Sequence, residues 1–299
     1  MTPEDPSAHV DMMVAEIPGH RPLMLDLRLP AGASGPVPLV IWIHGGAWLS
    51  GTNKHPAPPL AGARIPDRLL AAGYAVAAVT YRLSAEARFP AQLHDVKAAV
   101  RRLRADAPEL GLDPSRFAVW GESAGGLLAA LIALTGDRAD LAGEVGVTGV
   151  SDAVKSAVVW YGPSNLLTMQ AQAHPEAPMD HDAPDSPESL LIGGAVQENP
   201  DEARAASPVT YATAQAPAIR LVHGAEDRIV AAGQSVELHE RLTGAGAPAE
   251  LRLVAGADHC FVGVPVGPLV DDALDFFRRT IGDASRKGTD HDKIVSNGF

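Results

Sequence analysis

Cysteine is nearly missing from the chain: Cys260 is the one thiol in 299 residues. A single thiol closes no intramolecular disulfide and offers no cluster to zinc, so a disulfide scaffold and a zinc ribbon are both excluded. Basic residues are short as well, with 24 Lys and Arg against 36 Asp and Glu and a net charge of −12. That balance provides no electrostatic footprint for gripping a phosphate backbone, and nucleic acid is not an expected partner. No run approaches the roughly 18 uninterrupted apolar residues that a bilayer span needs. The opening MTPEDPSAHVDMMVAEIPGH carries acids and prolines where an export signal would have a basic start and an apolar run, so a soluble, cytoplasmic protein is expected. What the chain does have is apolar material, 46% of its residues, enough for one large core or two small ones.

Short β-branched or aromatic runs alternate with longer stretches of helical period. This is the pattern of an α/β fold, in which helices pack on both faces of a largely parallel sheet. The strand runs are 39–44, 74–81, 116–120, 156–161, 219–223 and 250–254. Between them, 90–105 places Leu93, Val96, Val100 and Leu103 on one face, as an amphipathic surface helix does. The stretch 123–134 is apolar nearly all round and is expected to be the most buried helix. In 268–281, Asp271 and Asp272 fall early and Arg278 and Arg279 late, matching the helix dipole. Residues 162–210 are rich in Pro and acid and too long for an ordinary connection; they are expected to fold over the sheet as a cap or lid. The polar stretch 283–299 lacks periodicity and reads as a loosely held tail. With no repeat and no clean linker, residues 1–299 read as a single domain.

The strongest local signal is Gly121-Glu122-Ser123-Ala124-Gly125 between a strand and the apolar helix. G-x-S-x-G in a strand–turn–helix context holds a serine up on a turn too tight for side chains two residues either way. A serine hydroxyl is a poor nucleophile and needs a base, and the base needs a carboxylate to orient it. Of eleven histidines, most lie near the termini, in loops or on helical segments, and His44 and His223 end strands where an imidazole commonly braces a loop. His259 lies after the last strand run and fits the chain order serine, acid, histidine. The acid then falls in HGAEDRIV, where Asp227 is the first choice and Glu226 the substitute; Asp258 reads as a turn-former. The stretch IWIHGGAW leaves a strand straight into glycines, so the amides of Gly45 and Gly46, with that of Ala124, are the expected oxyanion donors. Trp48 is expected at the mouth of the pocket. Asp95 and Lys97 read as solvated or loop-bracing groups, and the DHD at 180–182 as an acidic loop rather than a metal site.

Along most of its length, from about residue 23 to 281, the chain resembles α/β-hydrolase esterases with an HGG-x-W oxyanion loop. These are related to the hormone-sensitive-lipase-like group and include feruloyl-esterase-like members. The likeness is carried by HGGAW (44–48), AGYAVAAVTYRLS (72–84), FPAQLHDVKAAVRRLR (89–104), GESAGG (121–126), SPVTY (207–211), HGAEDRIV (223–230) and GADHCF (256–261). It implies an α/β-hydrolase fold with Ser123, Asp227 and His259 as a catalytic triad, and hydrolysis of a small-molecule carboxylic ester of short or medium acyl length without metal or other cofactor. Cys260 stands where relatives often carry Gly and reads as a small packing residue. An arylformamidase-type amidase and a non-catalytic binding module of the same fold are the alternatives. A homo-oligomer stays open.

Overall fold

The computed structural model describes residues 8–282. The chain runs β1 (Ala8–Ala15), β2 (Leu23–Arg28), β3 (Val37–Ile43), α1 (Ile65–Ala71), β4 (Ala75–Val79), α2 (Ala91–Ala105), β5 (Leu112–Glu122), α3 (Ala124–Leu134) and β6 (Ser156–Trp160). Three short helices follow, α4 (Met169–Gln172), α5 (Pro187–Ile192) and α6 (Pro200–Ala205). The chain then continues through β7 (Ala218–Gly224), α7 (Gly233–Gly244), β8 (Ala249–Val254) and α8 (Gly267–Ile281). One eight-stranded sheet takes the order β1-β2-β4-β3-β5-β6-β7-β8. β2 is antiparallel to both its neighbours, and every pair from β4 to β8 is parallel. This strand order, with helices on both faces, is the α/β-hydrolase fold.

Side-chain alternation along the central strands supplies two cores. Leu39, Ile41 and Ile43 of β3 point to the face covered by α2, α3 and α7, together with Phe117 and Val119 of β5 and Ala157 and Val159 of β6. Val40, Trp42, Ala118, Trp120, Val158 and Trp160 point to the other face, against α1 and α8. On that second face Trp120 meets Trp42 and Trp160 edge-on, at centroid separations of 5.4 and 4.7 Å, an arrangement that suits the ring quadrupoles. Helix α3 is buried from Ala124 through Ala133. Each fully buried leucine there contributes about 2 kcal/mol of transfer free energy, which anchors the turn from which the helix starts.

The expected strand runs correspond to β3 through β8. β1 and β2 lie outside those runs and add an antiparallel edge. Leu23, Leu25 and Leu27 are fully buried while Met24, Asp26 and Arg28 face outward, the period of a half-buried strand. β1 is harder to read because two register shifts break its alternation. Asp95 and Lys97 depart from the solvated reading: both are fully buried, Asp95 against Arg82 at 2.7 Å and Lys97 against Asp152 at 2.9 Å. Residues 162–210 send Leu166, Met169, Leu191, Ile192, Val196 and Ala203 into the core of the first face. The stretch 283–299 lies outside the described residues. Among the described residues, no helix is long and apolar enough to cross a membrane.

Candidate active site

Parallel strands deliver their C-terminal ends to one edge of the sheet, where ligands bind in open α/β sheets. β3 ends there into His44 and Gly45, β5 into Ser123, β7 into the loop bearing Asp227, and β8 into the loop bearing His259.

Ser123 has φ 53° and ψ −122°, a backbone conformation that L-residues avoid, at the junction of β5 and α3. Its N–H donates to the Trp160 carbonyl at 2.9 Å. The flanking glycines are a matter of space. A Cβ on Gly121 would overlap the Gly125 carbonyl, and one on Gly125 would overlap the carbonyl oxygens of Ile43 and His44. The G-x-S-x-G spacing therefore lets β3, β5 and α3 converge beneath the serine.

His259 Nε2 lies 3.1 Å from Ser123 Oγ, and His259 Nδ1 lies 2.8 Å from Asp227 Oδ2. Asp227 is 2% exposed. Burial by itself would raise its carboxyl, but hydrogen bonds from His223 and His259 outweigh burial and hold it well below the usual carboxylate range. An ionised Asp227 only accepts, so His259 carries its proton on Nδ1 and presents the Nε2 lone pair to the serine hydroxyl. Asp227 Oδ1 accepts from the amides of Ile229 and Val230 at 2.9 and 2.8 Å, which fixes the carboxylate in place. The substitute acid Glu226 points to solvent. Asp258 does act as a turn-former: it accepts the His259 amide at 2.7 Å and the Arg228 amide at 3.0 Å.

The expected oxyanion loop sits beside the serine. Among the described residues, the amides of Gly46 and Ala124 meet no acceptor within the protein. Gly46 has φ 108°, where any side chain would be strained and would also overlap the Ser50 carbonyl. The Gly45 amide differs: it points at Glu122 Oε1, 3.5 Å away. The loop is braced by Tyr81, whose hydroxyl donates to the His44 carbonyl at 3.0 Å and whose ring stacks on His44 at 4.4 Å. Burial pushes His44 down to about 4, so its ring is neutral and donates from Nδ1 to the Gly45 carbonyl. Trp48 corrects the sequence expectation. It is 1% exposed, and its indole N–H donates to the Ala124 carbonyl at 3.1 Å, so it braces the serine turn instead of lining an opening.

A cavity of about 330 Å³ opens beside His259 between apolar Pro178, Ile229 and Val262 and polar Glu176, Arg228 and Asp258. Two wider hollows, of about 650 and 700 Å³, lie elsewhere around Arg68 and Arg101, and neither contains a serine–histidine pair. Cys260 follows the histidine, but burial, aided by the charge of Glu122, pushes its thiol up to about 12. It stays protonated at neutral pH and is no rival nucleophile. Sequence reasoning missed Glu122 and Tyr161 as parts of this site, while His223, expected as a loop brace, holds the Val230 carbonyl and also faces Asp227. Only the motif's variable position hinted at Glu122. Of the 180–182 stretch, His181 turns inward to Glu188 at 3.2 Å and Asp182 takes the Gln197 amide at 3.0 Å.

The fold and the serine turn define an α/β-hydrolase. Residues 25–242 match the BD-FAE family, and the chain belongs to it. Among curated proteins it is 31% identical to esterase LipQ of Mycobacterium tuberculosis, over 77% of this chain and 52% of that protein. The chain spans about half the length of the curated relatives it matches. Among solved structures, a truncated carbohydrate esterase from gut microbiota superposes with a TM-score of 0.77 at 31% identity, covering 91% of this chain and 95% of that one. The propionate-bound Est2 esterase of Thermogutta terrifontis shares the fold at a TM-score of 0.73 and 24% identity, covering 96% and 98% of the two chains.

Proposed function

We propose that the protein is a serine carboxylesterase acting on carboxylic esters of short or medium acyl length. The observation that carries this reading is the unbroken line of hydrogen bonds from Ser123 through His259 to Asp227, at 3.1 and 2.8 Å. Esterase relatives and neighbours support the ester class, and the hollow of about 330 Å³ at His259 leaves room beside the base for a small group.

In this mechanism Ser123 Oγ attacks the ester carbonyl while its proton passes to His259 Nε2. The resulting imidazolium is held by Asp227. The carbonyl π-electrons move onto oxygen, and the Gly46 and Ala124 amides stabilise the oxyanion; removal of one such donor typically costs about 3 kcal/mol. Collapse expels the alcohol, which takes the proton from His259, and leaves an acyl group on Ser123. Water then gives a proton to the same nitrogen and attacks the acyl carbon; collapse of this second oxyanion breaks the bond to Ser123 Oγ, which takes the proton back from His259 as the acid leaves. No step needs a cofactor.

The test is Ser123→Ala against p-nitrophenyl acetate, with labelling of the unaltered chain by a fluorophosphonate. Turnover should fall by about 10⁴-fold or more, with the fold kept and the label lost. Unchanged turnover in the variant would defeat the reading. Faster release from a formyl amide than from an acetyl ester would favour the amidase instead.

A further inference from the structure

Glu122 is a buried acid that the steps above leave without a role. It occupies the variable position immediately before Ser123, is 1% exposed, and sends its side chain under the loop that follows β3. Oε2 accepts from the Tyr161 hydroxyl at 2.9 Å, and Oε1 faces the Gly45 amide at 3.5 Å. The Ala57 amide, farther along the same loop, also faces this carboxylate. A carboxylate kept from water needs such donors, because an unpaired buried charge is costly. The cost of burial shows in a carboxyl pKa raised despite those bonds. The Tyr161 ring packs edge-on against His259 at 4.8 Å, so the anchor of the carboxylate is itself part of the wall behind the base.

The geometry points to Glu122 as a positioning residue for the oxyanion loop: by holding the Gly45 amide, with Tyr161 locking its other oxygen, it sets the direction of the next amide, Gly46, toward the reacting carbonyl. The peptide planes on either side of Gly45 share one α-carbon. Only φ and ψ of Gly45 lie between the two amides, and the Gly45 carbonyl, in the plane of the Gly46 amide, is held by His44 Nδ1 at 2.7 Å, so an anchored Gly45 amide fixes the other end of this two-plane unit. Gly45 also lies so near the serine turn that a Cβ on it would stand 3.0 Å from the Glu122 carbonyl. The peptide group that bears the Gly45 amide is held at its carbonyl end by Tyr81 on the His44 oxygen. The carboxylate supplies the constraint on the amide side. An oxyanion donor is effective when it is aimed before charge develops, so a group that aims one acts on the transition state more than on substrate binding.

This inference rests on the reading under Proposed function. The experiment compares the unaltered chain with Glu122→Gln, which keeps the shape but replaces one acceptor by a donor. Each is assayed with p-nitrophenyl acetate and with a trifluoromethyl ketone, whose carbonyl adds Ser123 Oγ, passes the serine proton to His259 and leaves an oxyanion in the hole. The expected result is kcat lowered by about tenfold with KM within about twofold, and ketone affinity lowered by the same factor as kcat/KM. Wild-type values of kcat and ketone affinity in the variant, or a loss confined to KM, overturn the proposal. Should Glu122→Gln not fold, Tyr161→Phe replaces it. That change frees Oε2, should lower kcat and ketone affinity together by about threefold or more, and overturns the proposal if it leaves both unchanged. Turnover that survives Ser123→Ala overturns both readings, whereas Ser123-dependent turnover that is indifferent to Glu122→Gln removes this one alone.

Discussion

His223 Nε2 lies 3.4 Å from Asp227 Oδ2, the same oxygen that receives His259 Nδ1. His223 is fully buried, donates from Nε2 to the Val230 carbonyl at 2.7 Å and accepts on Nδ1 from Ser235 Oγ at 2.6 Å. Its tautomer is thereby fixed with a hydrogen aimed between the carbonyl and the carboxylate. Asp227→Asn would present an amide N–H to one ring or the other and disturb the tautomer of His259. The expected outcome is a fall in kcat of about 10⁴-fold with the fold retained, measured by ester turnover and circular dichroism. A loss below tenfold would show that Asp227 is not the orienting acid.

Crowding at the serine turn gives a stability prediction. Gly125→Ala must displace the ends of β3, because its methyl would overlap the Ile43 and His44 carbonyls. Overpacking of this kind costs about 1–3 kcal/mol, here at the upper end because the obstacle is backbone. Urea unfolding should show the midpoint reduced without a change in slope. A variant as stable as the parent would mean that the turn relaxes freely.

Arg82 and Asp95 form a buried pair that tests a different part of the fold. Asp95 accepts from the Arg82 amide at 2.8 Å and from the guanidinium at 2.7 Å. Asp95→Ala strands the guanidinium in the interior and should cost about 3–5 kcal/mol. Replacing both residues by apolar ones of similar volume should recover most of that loss, and a double-mutant cycle measures the coupling. Equal losses in the single and double variants would place the cost outside the pair.

The buried pair of His181 and Glu188 predicts a pH dependence. Burial works against the charged ring, but the Glu188 carboxylate, the Ile229 carbonyl and the charge of Asp180 outweigh it, so His181 is raised above its ordinary value. A histidine raised on folding contributes stability that is fully present below its unfolded pKa, about 6.5, and is lost as pH rises through the folded value. His181→Asn should therefore lower the melting temperature more at about pH 6 than at about pH 8.5. A gap that is equal at both values, or wider in base, would contradict this assignment.

The sequence carried the members of the hydrogen-bonded triad plainly and their supports poorly. Ser123, Asp227 and His259 each follow a strand run, and a parallel sheet brings strand ends to one edge whatever the details of packing. Glu122 and Tyr161 gave no comparable signal. Each is an ordinary polar residue near a strand end, and what they do depends on a contact between loops that are far apart in sequence. Trp48 was misread for the same reason: an indole in a glycine-rich loop is as suited to bracing a carbonyl beneath as to facing substrate. Lys97 looked solvated because its partner, Asp152, is 55 residues away. β2 was passed over although its leucines alternate, and β1 was obscured by its bulges.

Gln234 is fully buried on α7 and receives the Ser164 and Asn165 amides on its oxygen, each at 2.8 Å, while its nitrogen reaches Thr168 and Gln172. One side chain thus rivets the start of the 162–210 segment, the stretch that contributes Glu176 and Pro178 to the hollow beside His259. Without the Gln234 amide the two main-chain donors would lose their acceptor, so the point where the segment leaves the sheet is tied to α7 and not to the segment's own short helices.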